Sequence, residues 1–160
     1  MMLYLILFIT VLIGFLIATV LKKRALKHVS LYLAFSGAFL LAVTIFELLP
    51  SVFMGQEDNT PLFIMIGLLL QICLEYFSKG AEHGHFHIDN TKNTFPLLLF
   101  ISLSLHALVE GMPISEENNL IIAIIVHKLP IAIILSLFLY ESGYAMAKVI
   151  ILISLFAAMT

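Results

Sequence analysis

The stretch "SLSLHALVEGMP", residues 102–113, sets a histidine and a glutamate four residues apart in an otherwise apolar run. In a soluble helix such a pair needs no explanation. In a membrane span each ionisable group is costly and marks a site by default. Composition chooses between the two. Of the 160 residues, 62% are hydrophobic and 11% are charged, against about 25% charged in an ordinary soluble domain. Mean hydropathy is +1.13. The expected fold is therefore all-α, a polytopic transmembrane helical bundle.

Working outward from this stretch, runs of the roughly 20 apolar residues that a spanning helix needs fall at 2–21, 30–54, 61–78, 95–114, 119–140 and 144–160. They form one transmembrane domain over 1–160. "KKRALKH", "GQEDNT", "SKGAEHGHFHIDNTKN", "SEENN" and "ESGY" punctuate it, and Pro61 and Pro96 suit the first turn of a helix. The first run is too long for the apolar core of a signal peptide and lacks a basic leader and a small-residue cleavage site, so it reads as a retained span. Loops one, three and five carry Lys22, Lys23, Arg24, Lys27, Lys79, Lys92 and Lys148, whereas loops two and four carry Glu57, Asp58, Glu116 and Glu117 but no Lys or Arg. The positive-inside rule then places the N-terminus outside and the odd loops, including the His-rich loop 79–94, in the cytoplasm of a cell whose plasma (inner) membrane holds the protein. The sixth run reaches Thr160 without a polar flank, so the expectation is a chain cut within or at the end of a helix. Cys73 stands alone, which excludes a disulfide framework, and is expected to pack within its helix. With no Trp, tyrosines must supply any aromatic belt.

His106 and Glu110 lie at i and i+4, one turn apart on one helix face, the spacing two ligands need to reach a common cation. Ser102 and Pro113 continue the stripe, and Gly111 with Pro113 loosens the backbone beyond it. In "IIVHKLPIAII" the fifth span carries His127, Lys128 and Pro130, and the proline frees the Val126 carbonyl. In "IFELLP" the second span carries Glu47. Each residue taken singly has a bland reading: a helix–helix hydrogen bond, a protonated carboxyl, a snorkelling lysine or an interfacial carboxylate. Together they would need a separate excuse each. Mixed imidazole and carboxylate ligands suit a borderline dication such as Zn²⁺. Candidate ligands are Glu47, His106, Glu110 and His127, with Lys128 as a fixed charge balancing Glu110. His83, His85 and His87, beside Glu82 and Asp89, read as a loose metal-binding tract in the third loop.

These residues resemble the ZIP family of zinc and iron permeases. "HALVEG" is similar to the family's fourth-span motif at His106, Glu110 and Gly111. "HKLPIA" resembles its fifth-span motif at His127, Lys128 and Pro130. "SGAFLLAVTIFELLP", residues 36–50, resembles the second-span signature, with Glu47 at the ligand position. The resemblance implies a 3+2+3 bundle of eight helices with inverted repeats, often a homodimer, moving divalent metal into the cytoplasm by alternating access. It also exposes departures. Ala107 stands where many members carry Asn or Ser, Ile131 where two-metal members carry a carboxylate, and Lys128 where they carry another ligand. One main metal site is expected, with Lys128 in place of a second cation. About six spans are present where the resemblance implies eight.

The expected function is transport of a divalent metal, zinc first and Fe²⁺, Mn²⁺ or Cd²⁺ on overlapping ligand sets. No enzyme activity and no nucleic-acid partner are expected. The alternatives are an intramembrane zinc-dependent hydrolase with Glu110 as base, or a metal-binding membrane subunit that does not transport.

Overall fold

The run from Leu120 to Glu141 is apolar on every side, the pattern of a helix enclosed by others rather than one facing a single core. In the computed structural model this run, α6, is the helix around which the bundle is built. The structure describes residues 2–21, 23–55, 58–78, 97–114 and 120–159. Among them every regular element is helical, as expected for a helical membrane bundle: α1 (Met2–Leu21), α2 (Lys23–Val43), a π-helical turn (Thr44–Leu48), α3 (Leu49–Met54), α4 (Thr60–Ser78), α5 (Leu97–Gly111), α6 (Leu120–Glu141) and α7 (Met146–Ala158). Four stretches are long and apolar enough to cross a membrane: Met2–Leu21, Ser30–Met54, Thr60–Phe77 and Leu120–Tyr140. Leu99–Gly111 and Met146–Ala158 are shorter apolar helices.

Helix α1 packs along α6 through Leu7, Thr10, Val11, Gly14 and Ala18, a stripe with steps of three and four residues. Lipid tails are as apolar as leucine, so helices in a bilayer gain from close fit more than from leaving water, and small residues permit that fit. Gly14 is the point of closest approach: a Cβ built there would lie 2.7 Å from Ala132 Cβ and 3.1 Å from the Leu129 carbonyl oxygen. Helix α2 packs on α6 as well, and α7 lies against α1 and α6. Val11, Leu103, Ala107, Ile131, Leu135, Val149 and Phe156 share one buried core. Ala107 and Ile131, two of the three departures from the ZIP-like motifs, are thus core residues here. Gly143, with φ of 73°, turns the chain between α6 and α7 in the left-handed region that glycine alone enters freely.

Two prolines shape the backbone near the site. Pro130 sits inside α6, where it has no N–H to offer the Val126 carbonyl. Pro50 follows the π turn of the second span, in which Leu49 N–H reaches back to the Thr44 carbonyl. Such wide turns relieve the misfit a proline brings and recur at functional sites. Helices α4 and α5 pair with each other at the side of the bundle. Cys73, expected to pack, is exposed on α4, because that helix turns little of its surface inward. Tyr32 and Tyr76, both exposed near the ends of the apolar spans Ser30–Met54 and Thr60–Phe77, are placed as belt residues would be.

Candidate metal centre

His106 and Glu110 come from α5 and His127 from α6. One ligand atom from each lies within 4.8 Å of the other two. Ligands around a tetrahedral zinc stand roughly 3.3 Å apart, given bonds of about 2.0–2.1 Å. Closing the three groups on an ion therefore takes side-chain adjustments of about an ångström. The imidazoles of His106 and His127 meet edge to face, with centroids 6.0 Å apart. His127 is buried, and His106 and Glu110 are half-buried at the residue level. Glu47, the fourth expected ligand, is half-buried on the π turn, and its carboxylate is not part of this cluster. His83, His85 and His87 lie outside the described residues.

Lys128 is 1% exposed, and its Nζ stands 3.8 Å from Glu110 Oε2, where the side chains are 1% and 7% exposed. Two opposite charges this close and this far from solvent attract strongly, and removing either leaves the other less well compensated. The snorkelling reading of Lys128 fails, since the ammonium turns inward to α5.

Hydropathy and motif spacing leave three further residues unmarked. His106 Nδ1 and Gln71 Oε1 on α4 share a hydrogen bond of 3.0 Å. Ser36 Oγ on α2 and His127 Nδ1 share a hydrogen bond of 3.2 Å. Glu75, one turn beyond Gln71, lines the same cavity as both histidines. That cavity has a volume of about 620 Å³ and is lined by both histidines, Gln71, Glu75 and the face of the second span from Ser30 to Thr44. A signal for two of the three is present in the sequence: Gln71 and Glu75 are polar residues at i and i+4 in an apolar run, as His106 and Glu110 are. Ser36 carries no such signal, because a serine in a span usually bonds its own helix.

The chain is similar to the Zinc transporter ZIP1 of Danio rerio, with 34% identity over 90 residues covering 51% of this chain and 30% of the relative. The match thus spans less than a third of that transporter's length. No family model matches the chain. No solved structure matches it. The similarity and the apolar helices support an integral membrane protein related to metal transport.

Proposed function

We propose that this protein belongs with the ZIP-type permeases and carries a divalent metal, zinc first, across the membrane through the His106–Glu110–His127 cluster. The observation that carries this reading is the meeting of two imidazoles and a carboxylate from two helices beside a cavity. One nitrogen from each histidine and a carboxylate oxygen form a donor set that zinc accepts with a fourth position left for water or a further ligand. Glu47, nearer the opposite end of the second span, would receive the ion before it reaches this cluster.

Lys128 argues for transit over storage. A fixed cation beside Glu110 balances the carboxylate before the ion arrives and weakens the hold on a dication once it has bound. A transported ion must bind well enough to enter and loosely enough to leave. The same ion pair engages the carboxylate that a hydrolase would need as its base. Ser30 and Glu75, which line the cavity, lie toward the ends of α2 and α4 that adjoin the basic loops. With those loops cytoplasmic, an ion released from the cluster into the cavity would leave on the cytoplasmic side, where the sequence expects the loop with His83, His85 and His87.

Zinc uptake into proteoliposomes tests the proposal. Glu110→Ala is expected to reduce saturable uptake to the level of protein-free vesicles while the protein remains in the membrane. Uptake at the unmodified rate would remove the cluster from the path.

A further inference from the structure

Both histidines of the cluster make a hydrogen bond through Nδ1, and both partners lie on helices other than those bearing the histidines or Glu110. Gln71 comes from α4 and Ser36 from α2. The direction of each bond follows from counting protons. Gln71 presents its amide oxygen, which has none to give, so His106 Nδ1 carries the proton. Ser36 has a single hydroxyl proton, and Ser36 Oγ donates it to the Leu33 carbonyl at 2.9 Å. With that proton on the Leu33 carbonyl, the shorter of its two bonds, the serine accepts from His127, and His127 Nδ1 then carries a proton as well.

We infer that Gln71 and Ser36 are positioning residues that hold His106 and His127 in the Nδ1–H tautomer, so that both present Nε2 to the metal. The inference rests on the metal-site reading above and deepens it. A neutral imidazole has one protonated and one bare nitrogen, and the bond made by the first decides which nitrogen is left to a metal. Free histidine in water favours the opposite tautomer, with the proton on Nε2. Without these acceptors each ring would have to move its proton before Nε2 could ligate. The partners also fix ring rotation about the Cβ–Cγ bond, which brings two imidazoles from different helices to one point. Partners of this kind are commonly worth 10- to 100-fold in metal affinity, about the range expected here. A consequence for the fold is that α2 and α4, which supply none of the three clustered ligands, still determine the site. The bond from Gln71 also ties the side helix α4 to the centre.

The test is ¹⁵N–¹H correlation of the imidazole-labelled, metal-free protein in nanodiscs, with signals assigned from His106→Asn and His127→Asn variants, followed by zinc titration. The expected result is Nδ1–H at both histidines. Gln71→Leu shifts His106 alone toward Nε2–H, Ser36→Ala shifts His127 alone, and each weakens zinc binding by about 10- to 100-fold. Gln71→Glu and Ser36→Thr keep an acceptor oxygen and retain both the tautomer and most of the affinity. An Nε2–H signal at either histidine in the unmodified protein overturns the inference, as does a tautomer indifferent to Gln71→Leu or Ser36→Ala. Should Gln71→Leu fail to fold, loss of Nδ1–H from His106 in the Gln71→Glu protein overturns it equally. If the tautomers respond as stated but zinc perturbs neither ring, the hydrogen-bond assignment stands while the metal-site reading fails and the ligand role falls with it.

Discussion

Helices α4 and α6 are both long and apolar enough to cross a membrane, yet 67% of the α6 span and 11% of the α4 span are buried within the protein. Hydrophobicity alone admits both as spans. Their neighbours separate them. Helix α6 is packed by α1, α2 and α7, whereas α4 is paired chiefly with α5 and exposes Leu62, Phe63, Met65, Leu69 and Ile72. Apolar side chains satisfy a lipid tail and a protein interior equally well, so they leave a span's place in the bundle undecided. The polar residues are more informative. Gln71 and Glu75 mark the single face that α4 turns to the cavity, and His127 and Lys128 mark the part of α6 that meets α5.

The largest break in this contrast should come at the buried charges. Lys128→Met removes the ammonium 3.8 Å from the Glu110 carboxylate and is expected to cost about 3 kcal/mol in reversible unfolding from micelles. Added zinc should recover part of that loss by supplying positive charge. A variant as stable as the parent would mean that Glu110 has another source of compensation. Next comes packing. Leu135, fully buried on α6, should lose about 2–4 kcal/mol on Leu135→Ala in the same assay. The matched change on the outer helix, Leu69→Ala at a position 57% exposed, should fall within about 0.5 kcal/mol of zero. Equal losses at the two leucines would show that another surface covers α4 in the membrane. Between these values lies Gly14→Ala, which forces a Cβ against Ala132 and the Leu129 carbonyl and should cost about 1–3 kcal/mol. Because that contact abuts Pro130, two residues from Lys128, the variant should also disturb zinc affinity, which the same titration reads. A neutral outcome would mean that α1 can slide outward freely along α6.

The i, i+4 spacing of His106 and Glu110 was legible because helical geometry alone puts them on one face. His127 was legible as a polar intrusion in an apolar run, and the structure brings one of its ligand atoms within 4.8 Å of one from His106, through long side chains reaching between α5 and α6. Glu47 shows the opposite. Its motif context marks it as a ligand, but its carboxylate stands outside the cluster on a turn that Pro50 and the π geometry shape. Ser36 and Gln71 were illegible as partners, since each bond joins residues far apart in the chain: Ser36 to His127 across 91 positions and Gln71 to His106 across 35.

By itself the sequence determined that the chain is a bundle of apolar helices and that a few ionisable groups lie within them, because hydropathy and helical periodicity are local properties. Only the tertiary structure decided which helix became the centre, that Lys128 turns to Glu110, and which side chains reach the two imidazoles. Those outcomes depend on interhelical distances. Apolar surfaces in lipid leave such distances open, and they are settled by close steric fit, as at Gly14 and Ala132, and by the few polar groups that must find one another.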